Sequence, residues 1–341
     1  MKFDYSISII VPAYNAEKTL FECLKKISDE EKNLTSEIIV IDDNSVDNTS
    51  EIAKKFNSVK LVKLKKNRGV GFARNMGARL AKNKTICYVD SDLIISEGSI
   101  ENLVKKLYEN SNIGCVGAIQ GVPSPKDANL NQKEWSSNFV CAKSCYGFED
   151  VDNEKEFSAI QSELCVIDKM FLRKVGGWKS FRGAGGEEYE LGYKINKFKK
   201  KIIIIKNASY KTYYVNLYLR FLKIIDRTEK YLHVFLTTKR FDSMGAFATG
   251  NQALSSFLTL SIVSVILLNF IFNIHFFKEI LTLIFILQLM TEVKFLSFVK
   301  KYFGFKILFF SLFGIQVINL GILLGVIYFF FNNINFFLKK N

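Results

Sequence analysis

The sequence predicts an α/β protein, with a Rossmann-like, mostly parallel sheet followed by an amphipathic helix and then by transmembrane helices. β-rich runs alternate with helical segments between residues 6 and 205, and this alternation is typical of parallel strands joined by right-handed crossovers. Two long uncharged runs, 253–274 and 307–331, follow near the carboxyl end, and about 20 apolar residues are enough to cross a bilayer. The predicted regions are 1–210 for the sheet domain, 211–250 for amphipathic juxtamembrane helices and 251–335 for the transmembrane part.

The individual elements follow from the spacing of the apolar residues. Short apolar runs rich in β-branched residues indicate buried strands, and apolar residues at three- and four-residue steps indicate helices. The predicted strands are 6–11, 37–41, 59–64, 86–89, 113–119, 158–166 and 199–205, and the predicted helices are 17–28, 69–82, 101–110 and 169–175. Residues 121–159 lack a periodic pattern, so we expect a binding loop or lid there, in which Trp135 either stacks on a sugar or anchors the loop.

The charge of the chain is strongly positive and unevenly distributed. Lys and Arg number 47 against 33 Asp and Glu, for a formal net charge of +14, and the segment 194–240 alone carries +11. Such a segment indicates an anionic partner, which is a phospholipid surface, a phosphorylated substrate or a nucleic acid. Because these cations lie in an amphipathic stretch and do not alternate with stacking aromatic residues on a sheet, we expect anionic membrane lipids and no nucleic acid.

The cysteine spacing and the amino terminus indicate the cellular compartment of the sheet domain. The six cysteines have no paired metal-ligand spacing and the chain has two histidines, so we expect reduced thiols and no zinc site. The first residues run directly into a predicted strand without the apolar core and cleavage site of a signal peptide, which predicts a cytoplasmic sheet domain.

Two carboxylates, Asp90 and Asp92, follow the buried strand 86–89 directly. In open α/β sheets, ligands bind in the crevice beyond the carboxyl ends of the strands. Carboxylates so close together repel each other unless a cation or hydrogen-bond donors lie between them, and a divalent metal with open positions for phosphate oxygens meets that need. The alternative is an ordinary strand-to-helix loop in which one aspartate caps the helix.

Four segments in chain order strengthen the first interpretation. VPAYN (11–15), VIDDNSVDNT (40–49), NRGVGFARNMG (67–77) and YVDSD (88–92) resemble the nucleotide-binding half of a family-2 glycosyltransferase of GT-A fold, over about 7–205. The resemblance implies that Pro12, Ala13, Tyr14 and Glu17 line a uridine pocket, that Asp43 accepts a hydrogen bond from the base, that Arg74 lies near the base or diphosphate, and that Asp90, Ser91 and Asp92 form the donor site. It also implies that Asp92, with Asp90 beside it, binds Mn²⁺ or Mg²⁺. Turn chemistry and helix capping would explain one or two of Asp42, Asp43 and Asp47, but we do not expect them to explain all three.

A second carboxylate cluster lies in GGWKSFRGAGGEEYELGYKI (176–195). Acidic residues in the first turn of a helix are favoured by the helix dipole alone. The family, however, has a Gly-Glu-Asp-x-Asp/Glu-Leu signature here, whose aspartate is the general base. The resemblance therefore implies that Glu188 is the catalytic base, with one methylene more than the family's aspartate, and that transfer is an in-line displacement with inversion.

The region 215–236 has the pattern of an amphipathic helix. Its apolar positions are Leu217, Phe221, Ile224, Ile225, Thr228, Leu232 and Phe235, and its cations are Arg220, Lys223, Arg227 and Lys230. This pattern predicts a helix in the membrane interface, with a helix packed on the sheet domain as the alternative. The cations also suit an acceptor that carries a lipid pyrophosphate.

The number of membrane spans is less clear from sequence. Between the two uncharged runs, residues 280–291 form either a third, poorer span or an interfacial helix. The cations Lys294, Lys300, Lys301 and Lys306 favour three spans by the positive-inside rule, whereas Lys339 and Lys340 favour an even number. We expect three.

Together these features predict a metal-dependent, inverting hexosyltransferase in the inner membrane. It would move a sugar from a nucleotide-sugar, with UDP favoured, to a lipid-linked acceptor such as polyprenyl phosphate or a polyprenyl-diphosphate oligosaccharide, at the cytoplasmic face. One alternative is a non-catalytic membrane scaffold that retains the fold. Another is a processive polysaccharide synthase, which the missing Gln-x-x-Arg-Trp signature disfavours.

Overall fold

The computed structural model describes residues 6–30, 36–121, 135–149, 151–181, 185–239 and 249–338. The chain divides into two compact units, of which the first comprises 1–121 with 148–213 and the second 122–147 with 214–341. The boundary near residue 213 lies close to the predicted end of the sheet domain at 210. The assignment of 122–147 to the second unit differs from the prediction, which placed this segment within the sheet domain.

The first unit is built on one sheet of nine described strands. The strands are β1 (Ile7–Ala13), β2 (Ser36–Asp42), β3 (Val59–Lys63), β4 (Thr85–Val89), β5 (Leu93–Ile95), β6 (Ile113–Gln120), β7 (Glu154–Phe157), β8 (Leu164–Asp168) and β9 (Lys201–Thr212). Their order is β3-β2-β1-β4-β8-β6-β9-β5, and β7 also pairs with β9.

The sheet is mixed, although its amino-terminal half is parallel as predicted. Strands β1 to β4 pair in parallel, whereas β8 runs antiparallel to both β4 and β6. Ala13 at the end of β1 lies beside Asp42 at the end of β2. Because parallel strands end at the same edge of a sheet, the residues after β1, β2 and β4 meet at one edge.

The sequence predicted most of the described helices of the first unit and some of those of the second. They are α1 (Leu20–Glu30), α2 (Thr49–Lys54), α3 (Val70–Leu80), α4 (Ser99–Glu109), α5 (Trp135–Tyr146), α6 (Lys169–Lys174), α7 (Glu187–Lys197), α8 (Leu217–Thr238), α9 (Gly250–Phe272) and α10 (Phe277–Leu338). In α1 the predicted apolar positions Leu20, Leu24 and Ile27 are completely buried. Burial of each such side chain contributes about 1.5–3 kcal/mol to folding.

Helix α3 lies unusually close to β1. A Cβ atom added to Gly77 would lie 2.3 Å from Cγ2 of Ile10. Any larger residue at this position would therefore force the helix to shift away from the strand. This close packing brings Arg74, which is on the same helix and buried, to the end of the neighbouring strand β4.

The second unit consists of α5, α8, α9 and α10. Gly304 interrupts α10 with φ 80° and ψ 177°, a conformation that glycine adopts at little cost. Gln316 donates a hydrogen bond from Nε2 to Oε1 of Gln288 at 2.7 Å. The chain therefore folds back at Gly304, and α10 is two antiparallel helical segments, 277–303 and 305–338.

Two helices of the second unit are long and apolar enough to cross a membrane, namely Gly250–Phe272 and the 57 residues Phe277–Asn333 of α10. At about 1.5 Å per residue, 57 helical residues exceed the thickness of a single hydrocarbon core of about 30 Å. The first half of α10 contains the run 280–291. This half is a helix of about the same length as α9.

The amphipathic helix appears as α8, and its apolar face packs on the second half of α10. A Cβ atom on Gly325 would lie 2.6 Å from Cβ of Thr228, and one on Gly321 would lie 3.1 Å from Cδ2 of Phe221. One helical turn further along both helices, the His233 ring of α8 contacts the Phe329 ring of α10, with centroids 4.8 Å apart. The two helices therefore run parallel to each other, and the apolar face of α8 packs on an apolar helix.

The predicted loop 121–159 contains a helix, α5, that belongs to the second unit. Phe139 of α5 packs against Gly314, where an added Cβ would lie 2.7 Å from the ring, and Lys143 forms an ion pair of 3.0 Å with Glu292. Trp135 at the start of α5 is 55% exposed, and its role as a sugar platform or as a loop anchor stays a prediction. The prolines of this segment lie outside the described residues.

Candidate active site

The candidate active site lies at the edge where β1, β2 and β4 end. Asp43 follows β2 directly, and its backbone N–H donates to the carbonyl oxygen of Ala13 at 2.8 Å. Its buried carboxylate accepts hydrogen bonds from the backbone N–H groups of Arg68 and Gly69, both at 2.8 Å. Burial raises the pKa of Asp43 above its ordinary value, although these two hydrogen bonds oppose the shift. Asp43 thus joins the end of β2 to the start of α3.

The neighbouring acids have local structural partners as well. Asp42 accepts hydrogen bonds from the backbone N–H of Ser45 at 2.7 Å and from the hydroxyl of Ser50. Asp47 accepts from the backbone N–H groups of Thr49 at 3.1 Å and Glu17 at 3.0 Å. Local turn and capping contacts thus account for Asp42 and Asp47, whereas Asp43 binds the distant backbone of Arg68 and Gly69.

The residues predicted to line a nucleoside pocket differ in exposure. Pro12 and Ala13 are buried at the end of β1, whereas Tyr14 is 52% exposed. Oε2 of Glu17 accepts from the backbone N–H and from Nδ2 of Asn48, both at 3.2 Å. The contacts of Glu17 thus connect the loops after β1 and β2, and the nucleoside roles of these four residues remain predictions.

Asp90, Ser91 and Asp92 form the turn between β4 and β5, so neither aspartate caps a helix. The backbone N–H of Asp90 donates to the carbonyl of Glu163 at 2.9 Å, and that of Leu93 donates to the carbonyl of Asp90 at 3.3 Å. All three residues of the turn are half-buried. The alternative of a strand-to-helix loop does not apply here.

Arg74 connects this turn to the second predicted cluster. Its guanidinium is buried and donates from Nη2 to Oδ1 of Asp90 at 2.8 Å, while Nη1 lies 3.5 Å from Oε1 of Glu187. Burial lowers the pKa of Arg74, but the charges of Asp90 and Glu187 outweigh this effect and raise it above its ordinary value. The end of β4 and the start of α7 therefore share one buried cation.

Sequence reasoning missed the role of Glu187. This residue is buried, and its Oε2 accepts from the backbone N–H of Gly185 at 2.7 Å. Glu188, the predicted base, is the next residue in the first turn of α7 and is half-buried; its carbonyl accepts from the backbone N–H of Ile160 at 3.3 Å. The sequence signal for Glu187 was its position at the glutamate of the Gly-Glu-Asp-x-Asp/Glu-Leu signature, directly before Glu188.

Trp178 is a second residue that the sequence did not identify. Its buried ring lies over the Arg74 guanidinium, with 4.7 Å from Cζ to the ring centroid. The side chain of Asn75 holds the backbone of Trp178 through two hydrogen bonds, of 2.7 and 3.0 Å. A cation over an indole face is stabilised by the ring quadrupole, so Trp178 helps to retain Arg74 in this position.

Asp92 has the electrostatics of a carboxylate that favours a cation. Burial and the charge of Asp90 raise its pKa to about 6, against an opposing hydrogen bond with Thr212 and with a further contribution from Glu163. Within the described part of the chain, no three Asp, Glu, His or Cys side chains are grouped as metal ligands. Such a site fits a divalent ion bound by one or two carboxylates together with substrate phosphates, and does not fit an all-protein metal site.

Comparison with known sequences identifies the domain that carries this site. The sequence profile named "Glycosyl transferase family 2" matches residues 8–165. The chain carries a family-2 glycosyltransferase domain. The matched segment includes the predicted nucleoside residues, Arg74 and the Asp90–Asp92 turn, and it ends before α7.

Two bacterial proteins are similar in sequence to the glycosyltransferase domain. Glycosyltransferase GlyG of Streptococcus pneumoniae is 31% identical over 181 residues, which are 51% of this chain and 51% of GlyG. The minor teichoic acid biosynthesis protein GgaB of Bacillus subtilis is 29% identical over 219 residues, which are 61% of this chain and 23% of GgaB. The chain thus aligns with about half or less of the length of either relative.

The fold of the glycosyltransferase domain agrees with a solved structure. The mannosyltransferase PcManGT from Pyrobaculum calidifontis, in complex with GDP-Man and Mn²⁺, superposes with a TM-score of 0.57 over 96% of this chain and 87% of that one, at 14% identity. At this identity the likeness concerns the fold alone, which is GT-A. The predicted fold class is confirmed.

Proposed function

We propose that this protein is an inverting glycosyltransferase that moves a sugar from a nucleotide-sugar, with UDP favoured, to a lipid-linked acceptor. The observation that carries the proposal is the contact of Arg74 with Asp90 and Glu187 at 2.8 and 3.5 Å. It brings the acidic turn after β4, the predicted donor site, next to the helix that carries the predicted base Glu188. Donor and acceptor chemistry require these two groups at one place.

On the donor side, the chain supplies carboxylates for a divalent ion. Asp92, with Asp90 beside it, would hold Mn²⁺ or Mg²⁺ together with the diphosphate of the donor. The ion, when bound, stabilises the negative charge that develops on the departing nucleoside diphosphate. The complex of the similarly folded PcManGT with GDP-Man and Mn²⁺ supports the choice of a nucleotide-sugar and a divalent ion.

On the acceptor side, Glu188 would remove the proton from the acceptor hydroxyl. A base and a departing diphosphate on opposite faces of the sugar produce a single displacement with inversion and no covalent intermediate. Glu188 is one methylene longer than the aspartate of the family signature, so the acceptor hydroxyl would lie correspondingly farther from the helix backbone.

The apolar helices support an acceptor confined to a membrane. We infer a multi-pass protein of the inner membrane in which α9 and the two halves of α10 each cross once, with the cations near Gly304 and the glycosyltransferase domain on the cytoplasmic side. An enzyme anchored in this way gains effective concentration for a substrate in the same bilayer. Polyprenyl phosphate and polyprenyl-diphosphate oligosaccharides meet this condition, and the basic segment 194–240 suits their phosphates and anionic lipids.

The test is sugar transfer by the purified protein in detergent. UDP- and GDP-sugars labelled in the sugar are incubated with polyprenyl phosphate or a membrane lipid extract, in Mn²⁺ or EDTA, and the organic phase is counted. We expect metal-dependent label in the lipid, lost in both Asp92→Asn and Glu188→Gln. Glu109→Gln, which removes an exposed carboxylate at the last residue of α4, should retain activity.

Other outcomes identify the alternatives. Nucleotide binding in Mn²⁺ without transfer of any sugar would favour the non-catalytic scaffold. Long polymeric products instead of a single added sugar would favour a processive synthase. Failure to bind any nucleotide would contradict the proposal altogether.

A further inference from the structure

Among the described residues, Arg74 is the largest fully buried side chain, at 1% exposure, and it carries a full charge. A buried arginine is retained only where carboxylates compensate for its lost hydration. Its two carboxylate partners lie far apart in the sequence, since Asp90 follows β4 and Glu187 begins α7. The guanidinium thus bridges the two halves of the proposed active site.

The two contacts of Arg74 differ in kind. Nη2 forms hydrogen bonds with Oδ1 of Asp90 at 2.8 Å and with the carbonyl of Ser162 at 3.3 Å. Nη1 lies 3.5 Å from Oε1 of Glu187, which is a charge contact, and within the described residues neither Nη1 nor Nε has a hydrogen-bond partner. Nη2 of the guanidinium is therefore held by hydrogen bonds to Asp90 and Ser162, whereas Nη1 is held by the charge of Glu187.

Glu187 is itself held firmly. Its other oxygen, Oε2, accepts from the backbone N–H of Gly185 at 2.7 Å, and the side chain is 4% exposed. The carboxylate is thus attached to the same turn that begins α7 and that carries Glu188. A displacement of Glu187 would displace Arg74, and through Arg74 the carboxylate of Asp90.

We propose that Glu187 is a positioning residue of the transfer reaction, which acts through Arg74 to orient Asp90 relative to Glu188. This inference rests on the proposed function, because it assumes that Asp90 and Glu188 serve donor and acceptor. Reactions that depend on the alignment of two groups lose about 100-fold in rate for a displacement of about 1 Å. A charge contact between the two halves of the site is suited to maintain such alignment.

A purely structural role would have different consequences. If Glu187 only stabilised the buried arginine, its loss would lower the melting temperature while the folded fraction retained its rate and its affinity for ligand. The test therefore compares stability with rate and affinity in the same samples.

The variants are Glu187→Gln, which keeps the shape and removes the charge, and Arg74→Lys, which keeps the charge and removes the planar fork. The matched control is Glu109→Gln, which removes the charge of a side chain that is 62% exposed and that pairs with Lys106 at 2.5 Å. For Glu187→Gln we expect kcat to fall between about 10- and 100-fold and the Kd of UDP with Mn²⁺, measured by calorimetry, to rise about tenfold. Glu109→Gln should change neither by more than about twofold.

A double-variant cycle tests whether the two residues act as a unit. Arg74→Lys combined with Glu187→Gln should lose no more activity than the worse single variant, because the second change removes an interaction that is already lost. Multiplicative losses would overturn the proposal.

Fluorescence provides a readout without turnover. The chain has two tryptophans, so Trp135→Phe leaves Trp178, whose ring contacts Arg74, as the single emitter. In that background Glu187→Gln should shift the emission of Trp178, and Glu109→Gln should not. No shift, together with unchanged kcat and Kd, would overturn the positioning role.

The two proposals fail in distinguishable ways. If the unsubstituted protein transfers sugar and Glu187→Gln does so equally well, the positioning role is wrong and the proposed function stands. If no sugar is transferred by any variant but Glu187→Gln still weakens binding of UDP with Mn²⁺, the orienting role toward the ligand stands and the proposed function is wrong.

Discussion

Gln316 donates a hydrogen bond to Gln288 at 2.7 Å, although the two residues are 28 positions apart within α10. In a straight helix they would be separated by about 42 Å. The contact is part of a buried polar network, in which Gln288 also donates to Thr259 of α9 at 2.7 Å and Asn319 donates to Thr259 at 2.9 Å. Buried amides in apolar surroundings require such partners, so this network specifies how α9 and the two halves of α10 align.

The fold-back at Gly304 predicts that residues 288 and 316 can be cross-linked. Gln288→Cys combined with Gln316→Cys should react with a short bismaleimide to give a linked peptide pair, identified by mass spectrometry after proteolysis. Because Gln288 is itself only 1% exposed, the reagent must be apolar enough to enter the helical bundle. The unsubstituted protein, with its six buried cysteines, and each single cysteine variant serve as controls. Absence of the linked pair in the folded protein would show that α10 is not a hairpin.

The packing of α8 on α10 predicts that Gly325 cannot be enlarged. A Cβ atom there would lie 2.6 Å from Cβ of Thr228 and 2.8 Å from the carbonyl oxygen of Ile225. Gly325→Ala should therefore destabilise the protein by about 1–3 kcal/mol, measured by thermal unfolding in detergent. Gly250→Ala, where an added Cβ has no atom within 4 Å, is the matched control and should be neutral or stabilising; equal effects of both would contradict the packing.

The buried ion pair between Lys143 and Glu292 predicts that replacing one partner lowers the stability of the protein much more than replacing both. Both side chains are about 95% buried, with exposures of 5% and 6%, and Lys143 also lies 4.5 Å from the ring centroid of Phe295. Lys143→Met alone should destabilise by about 3–5 kcal/mol, because it leaves a buried carboxylate without its cation, whereas the double variant with Glu292→Leu should recover most of this loss.

The exposed pair Lys54 and Glu51 provides the comparison for this effect. Its side chains are 59% and 65% exposed, so Lys54→Met should change the unfolding free energy by less than about 1 kcal/mol. A double variant of the buried pair that is less stable than Lys143→Met would refute the interpretation.

The lowered pKa of Asp47 predicts that its contribution to the free energy of unfolding is lost in acid. Burial opposes ionisation, but hydrogen bonds from Thr49 and from the backbone of Glu17 outweigh it and lower the pKa of Asp47 below its ordinary 3.8. The native state thus binds this proton less readily than the unfolded state, so the contribution of Asp47 is present above about pH 4 and lost as the pH falls below it. Asp47→Asn should cost about 1–3 kcal/mol at pH 7, and the difference from the unsubstituted protein should shrink toward pH 3.

The control for the pH dependence is Asp152→Asn, which removes an exposed carboxylate of the same unit. Its stability should follow that of the unsubstituted protein over the whole range. A constant difference for Asp47→Asn between pH 7 and pH 3 would contradict the hydrogen-bonded role of Asp47.

Much of the candidate site could be predicted because strand ends are visible in a sequence. An apolar run that stops at two carboxylates places Asp90 and Asp92 at the ligand edge of a parallel sheet. The partner of Asp90 could not be predicted, because Arg74 reaches it through the close contact of α3 with β1. For the same reason the contact of Glu187 with Arg74 could not be predicted, because its burial there depends on three segments far apart in the chain.

By itself, the sequence determined the fold class, strands β1 to β4, β6 and β9 with most of the helices between them, the acidic turn after β4 and the presence of long apolar helices, because periodicity and composition are local properties. Only the tertiary structure decided that β8 runs antiparallel, that 135–146 forms a helix of the second unit, that α10 folds back at Gly304, and that α8 lies along α10. These features depend on which surfaces meet, and the burial of one apolar face or one ion pair is equally compatible with several partners until the whole chain is packed.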